Sequence, residues 1–166
     1  MLALSLKQPW ASLIFTPQYD ESGKFIKFGR KTIETRYWTP YVKGEILICS
    51  SQKPDMHYWP LPALRGVCRV CGKRDVEFLD RFEDLCVDCP HKEYRGYCLG
   101  SVEITHVRRM VEENQEAACV RFNPQMYSWF LTNARPLKKP FPMRGNLKFF
   151  DLDVDDEELE FIDKPL

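Results

Sequence analysis

Two Cys-x2-Cys pairs, Cys68-Arg-Val-Cys71 and Cys86-Val-Asp-Cys89, stand fourteen residues apart in the middle of this chain. They constrain its folding more than any other feature. At that spacing two thiolate-bearing turns close a tetrahedral site around one zinc ion. Gly72, directly after Cys71, gives the turn the backbone freedom that amide-to-sulfur approach requires. Four thiolates leave no open coordination position, so the expected role of the Zn2+ is structural, folding a stretch too poor in apolar residues to fold by itself. His91 stands close enough to compete as a ligand, and a redox dithiol is the competing reading of each pair. From Pro54 to Glu93 the composition changes as well, with Pro60, Pro62, Gly66 and Pro90 breaking any regular pattern. The expected organisation is one domain over residues 1–153, interrupted by a zinc-ribbon-like insertion at 60–93 and followed by a tail at 154–166.

Seven cysteines in 166 residues are an odd number, and four of them have metal-ligand spacing, which argues against a secreted disulfide framework. The opening MLALSLKQPW turns polar at Lys7, and no run of about 18 apolar residues appears. A cytoplasmic monomer with no membrane span is therefore expected. Cys49, Cys98 and Cys119 lie in apolar contexts and read as core residues rather than nucleophiles. At 44% hydrophobic and 13% aromatic the chain can build one real core.

Outside the insertion the pattern is mostly extended. LALSL alternates ahead of QPWASLIF, a short helix in which Pro9 suits the first helical position and Trp10, Leu13 and Ile14 share a face. TPQYDESGKFIKFG reads as a hairpin-like excursion, and KTIETRYW as extended. GEILICSSQKP is a buried strand ending in Ser50 and Ser51, and GYCLGSVEITHV a strand broken at Gly100. MYSWFLTNARPLKKPFP is a strand running into a proline-bounded turn, and LKFFDLD a last short strand. Several strands with one or two short helices imply a compact, strongly bent or barrel-like β-rich α+β domain.

The net charge is zero but unevenly placed. From Asp151 onward eight acids face Lys164 alone, a net of −7, so residues 1–150 carry +7. A basic body suits a polyanionic partner, and a solubilising tail explains the same numbers. The basic charge is densest in GRKTIETR, where Lys31 and Arg36 have the chemistry to hold phosphate oxygens and Glu34 to orient the arginine or accept from a base or ribose hydroxyl. In a regular strand Glu34 and Arg36 share a face while Lys31 points the other way, so the three converge only if the chain bends.

The segments LSLKQPWASLI, GRKTIETRYW, GEILICSS, GYCLGSVEI and FPMRGNLKFFDLD, in that order, resemble the ASCH (activating signal cointegrator homology) domain family over about Leu2 to Ser51 and Tyr97 to Asp153. The resemblance implies a PUA-like bent β-barrel with short flanking helices. It further implies an RNA or nucleotide site where the Gln-Pro-Trp helix meets the lysine-bearing octet, with Lys31 on a bend at the cleft mouth. That matching brings Gln8, Pro9, Trp10, Lys31, Glu34 and Arg36 to the site, with Ser50, Ser51 and Lys53 as weaker members. Trp10, Tyr37 and Trp38 are candidate stacking partners for a base, with core packing the competing role for Trp10. Arg144, with Arg135, Lys138 and Lys139, and the pair Arg108 and Arg109 are candidate extensions of a phosphate-tracking surface.

Two further readings follow from the resemblance. One family branch hydrolyses N4-acetylcytidine with a lysine, a threonine three residues on, and a glutamate. Lys31 matches the first, but Glu34 occupies the threonine position, and Glu103, Glu112 and Glu113 are all open for the last. Lys31 and Glu34 would then be the catalytic pair. Other members are ribonucleases, for which Lys31, Lys53 and a hydroxyl from Ser50 or Ser101 would serve. Alternatively the chain is a protein-interaction or transcription-coactivator module with its contacts on the insertion, where Arg65, Arg69, Lys73, Arg74 and Arg81 also offer a second nucleic-acid surface. The acidic tail, finally, is expected to compete for the basic cleft.

Overall fold

A computed structural model describes residues 1–53, 94–155, 157 and 159–164, together with the backbone of two strands at 78–79 and 82–86. The elements run β1 (Leu2–Leu6), α1 (Trp10–Leu13), β2 (Pro17–Tyr19), β3 (Phe25–Phe28), β4 (Ile33–Arg36), β5 (Gly44–Ser50), β6 (Phe78–Leu79), β7 (Phe82–Cys86), β8 (Tyr97–Arg109), α2 (Gln115–Ala118), β9 (Tyr127–Pro142) and β10 (Phe149–Asp151). Six strands form one sheet in the order β10-β1-β5-β8-β9-β4, antiparallel except for the parallel β1–β5 pair. The sheet curls into a half-barrel, so the expected β-barrel-like, β-rich architecture is present.

Strand alternation divides the core in two. Leu4, Leu6, Ile46 and Ile48 face Ala11, Ile14 and Phe15 of the α1 region, around the fully buried Trp129. Ala3, Leu47, Cys49, Cys98 and Leu137 form the opposite face. Cys49 and Cys98 are paired across β5 and β8, and the neighbouring Cys98 sulfur, aided by burial, pushes the Cys49 thiol far above its ordinary range. Both are core residues, as is buried Cys119.

Three local details depart from the sequence reading. Pro9 is the N-cap of α1, one position earlier than expected, and follows a cis Gln8–Pro9 bond. Gly100 lies inside a continuous β8 rather than breaking it, at a shift in register against β9 where a Cβ would lie 2.4 Å from the Arg135 carbonyl oxygen and 2.6 Å from the Phe15 ring. The third concerns Pro136, Pro140 and Pro142, which lie inside the 16-residue β9 rather than in a turn after it. They are tolerated because β4 pairs only with Tyr127 to Phe130, so the distal half of β9 is a sheet edge where missing N–H groups cost no ladder bond.

The acidic tail covers that edge instead of the basic cleft. Lys138 N–H donates to the Glu160 carbonyl (2.9 Å) and Ile162 N–H to that of Pro136 (2.8 Å), and Phe161 bridges to Leu137. Val154, Leu159 and Phe161 pack on the second apolar face, and the Arg135 guanidinium stacks 4.2 Å above the Phe161 ring. Removing residues 154–166 should therefore destabilise the fold by about 2–4 kcal/mol, from lost apolar burial and an uncovered edge. Urea denaturation of the truncated chain checks this, since a merely solubilising tail would leave the midpoint unchanged.

Candidate nucleic-acid interface

Curling brings β4, one edge of the sheet, towards β1 near the other, without ladder pairing between them. β10 pairs with Leu2 to Leu4 only, so Ser5 and Leu6 continue beyond it. Arg36 spans the seam, with Nη2 donating to the Ser5 carbonyl at 3.4 Å. A cleft of about 1400 Å³ opens along this seam.

Lys31 lies beneath the cleft because the chain bends before β4 begins. Gly29, at φ +103°, makes the bend, a conformation other residues reach only with strain. The N–H groups of Gly29 and Lys31 donate to the carbonyls of Thr16 and Leu13. The lysine side chain thus turns inward, and the three charged residues that strand parity would separate come together.

Only 1% of the Lys31 side chain is exposed, which corrects the expectation of a lysine at the cleft mouth. Its Nζ donates to the carbonyls of Ile33 (2.6 Å) and Ala118 (2.8 Å), sits 3.3 Å from Glu34 Oε2, and lies 5.4 Å from the Trp10 ring centre. Glu34 Oε1 is 2.9 Å from Arg36 Nε, an ion pair outside hydrogen-bond alignment. Ala118 is the last residue of α2, whose terminal carbonyls lack partners within the helix. Lys31 Nζ takes one, and the Thr32 N–H takes that of Ala117 at 2.9 Å. The sequence reading missed this helix, since the polar run EENQEAAC carries too weak a periodicity.

The cleft walls are strongly basic. Lys7, Lys31, Arg36, Lys53, Arg95, Arg144 and Lys148 line it, and among its described lining residues Glu34 is the one carboxylate. Glu34 faces Lys31 and Arg36, and Lys7, Lys53, Arg95, Arg144 and Lys148 stand exposed at the rim. Trp10 and Trp38 add aromatic surface, with Trp38 held edge-on against Trp129 (4.7 Å) and Phe149 (5.7 Å). Trp10 lines the cleft and also packs against the core. The buried Ser5 Oγ lines the cleft without a hydrogen-bond partner and offers a ligand a donor and an acceptor.

Trp10, Lys31, Glu34, Arg36, Trp38, Ser51, Lys53 and Arg144 are thus brought to one cleft. Gln8, Pro9 and Ser50 are buried beside it and do not line it. Gln8 secures α1, its Oε1 accepting from Ser12 N–H (3.2 Å) and its Nε2 donating to Ser12 Oγ (2.7 Å) and the Tyr94 carbonyl (3.0 Å). Ser50 Oγ exchanges hydrogen bonds with the Tyr97 backbone. Ser101 is fully buried in β8. Tyr37 is exposed outside the cleft and meets Asn123. Arg135 and Lys138 pair with Glu45 and Glu160, while Arg108 and Arg109 stack on Phe130 and Tyr127. Lys7, Arg95 and Lys148 were missed. Lys7 adjoins Gln-Pro-Trp and was the most legible of them. The side chains of Cys68, Cys71, Cys86 and Cys89 lie outside the described residues, and among the described residues no group of three or more His, Cys, Asp or Glu side chains is placed to hold a metal. No described helix is long and apolar enough to cross a membrane.

A curled β half-barrel with a basic, aromatic cleft at its seam defines a β-barrel-like class of domain. The ASCH domain model matches residues 19–141, and the chain belongs to the ASCH domain family. ASCH domains are PUA-like and are generally thought to bind RNA. No curated protein matches the sequence.

Lys31→Met should cost about 3–5 kcal/mol, because Glu34 then loses its buried partner. Adding Glu34→Gln should recover part of that loss. A double-mutant cycle from chemical denaturation reads the coupling, and additive costs would show that the two charges do not depend on each other.

Proposed function

We propose that this protein binds single-stranded RNA, or an unpaired nucleotide within RNA, in the cleft around Lys31 and Arg36. The observation that carries this reading is the segregation of charge among the described residues of the cleft, where five exposed cations and aromatic walls accompany one carboxylate that is paired. Phosphates meet Lys7, Lys53, Arg95, Arg144 and Lys148, while Trp10 and Trp38 give bases a stacking surface. Glu34 holds Arg36 in place, and Arg36 and Ser5 Oγ present polar groups to the base or ribose.

The same geometry favours gripping over cutting. Lys31 commits its ammonium to two carbonyls and a carboxylate, an arrangement suited to bracing a cleft rather than activating a nucleophile. Turnover of N4-acetylcytidine or RNA by the wild type, abolished in Lys31→Ala, would overturn that preference.

Affinity for a short fluorescent RNA, followed by anisotropy, should fall with salt at a slope of about −0.7 per phosphate contact. Replacing Arg144 and Lys148 together by alanine should lower the slope by about 1.4. Salt-independent binding, or an unchanged slope in the double variant, would rule out this reading of the rim.

The second part of the proposal is that Cys68, Cys71, Cys86 and Cys89 hold one structural Zn2+. Their spacing supports it, as does the antiparallel pairing of β6 with β7, which leads from the first Cys-x2-Cys pair into Cys86 of the second. Purified protein should contain about one zinc per chain and Cys68→Ser should lose it. Metal-free wild type would refute the site.

A further inference from the structure

Leu147 is the most exposed large hydrophobic residue among those described, at 89%, and it stands on the lip of the cleft between Arg144 and Lys148. The loop that carries it is held at both ends. Met143 N–H donates to the Gly96 carbonyl at 2.8 Å. On the other side Phe149 pairs with Leu4 and is packed by Trp38, Tyr41 and Trp129 at ring distances of 5.3–5.8 Å. Between these anchors Gly145 lies so close to β1 that a Cβ would come within 2.5 Å of Ser5 Oγ. Lys148 takes a left-handed conformation, φ +57°, which is uncommon for a long side chain. A tethered, locally strained loop therefore presents a leucine to water beside the basic rim of the cleft.

We infer that Leu147 is a wedge for structured RNA: it enters the stack of a stem from which one unpaired nucleotide is drawn into the cleft, while Arg144 and Lys148 hold the flanking phosphates. Apolar side chains inserted at a base step offset lost stacking in this way, and adjacent cations fix the backbone on either side. The inference rests on the reading of the cleft as an RNA site. It adds that the partner is a stem with a bulged or mismatched nucleotide rather than an unstructured strand.

The test compares two RNAs of the same composition, a hairpin carrying one bulged 2-aminopurine and an unstructured strand carrying the same base, against the full-length wild type, Leu147→Ala and Leu147→Met. The wild type should bind the hairpin and raise its 2-aminopurine fluorescence as the base leaves the stack. Leu147→Ala should bind the hairpin about tenfold more weakly, with the fluorescence gain lost, yet bind the unstructured strand within about twofold of wild type. Leu147→Met should keep both properties. Equal weakening for both RNAs, or none for either, would overturn the wedge while leaving the cleft an RNA site, and the leucine would then be a contact for a protein. Failure of the wild type to bind either RNA would overturn the cleft assignment, and the wedge with it.

Discussion

The buried ammonium of Lys31 is the constraint on which the rest of the site depends. Withdrawing a lysine from water is costly unless each of its donors is satisfied. Here a β4 carbonyl, the end of α2 and Glu34 supply the partners. This one side chain therefore ties three pieces of chain together: the bend at Gly29, the first residues of β4 and the short helix between β8 and β9. It also sets the orientation of Glu34, whose second oxygen holds Arg36 across the open seam. The cleft is shaped by electrostatic satisfaction at its floor.

A second consequence concerns the neutral net charge of the chain. Its basic and acidic halves do not cancel locally. The described tail residues run along the distal edge of β9 and the apolar face of Ala3, Leu47 and Leu137, and none of them lines the cleft. Three prolines blunt that edge, but the backbone groups between them still need partners. The tail closes it with two backbone hydrogen bonds and an apolar cover, carrying its negative charge to the far side. The cleft keeps its positive field because the acids have a structural place elsewhere.

Much of the fold was legible in the sequence. The alternation of LALSL and the apolar run of GEILICS marked two strands, whose successive residues serve the two apolar faces of the sheet. The β2–β3 hairpin followed from turn residues, while Gly100, expected to break its strand, marks only a shift of register within β8. Other features depend on contacts between distant segments. The prolines of β9 read as a turn because sequence does not show where β4 stops pairing. Helix α2 escaped notice because four residues held in place by Lys31 and Thr32 have little periodicity of their own. Gln8 and Ser50 were assigned to the site by motif, yet their hydrogen bonds go to Ser12, Tyr94 and Tyr97. Polar residues beside a site serve its scaffold as readily as its ligand.

By itself the sequence determined the family, the strand-rich class and the charged octet as the centre of interest. These reside in local pattern, in the order of segments and in residue chemistry. Only the tertiary structure decided that Lys31 is buried, that Lys7, Arg95 and Lys148 join Lys53 and Arg144 around one cleft, and that the acidic tail docks on the opposite face. The reason is geometric: a charge is costly or harmless according to which distant backbone and side chains surround it, and those neighbours are chosen when the sheet curls.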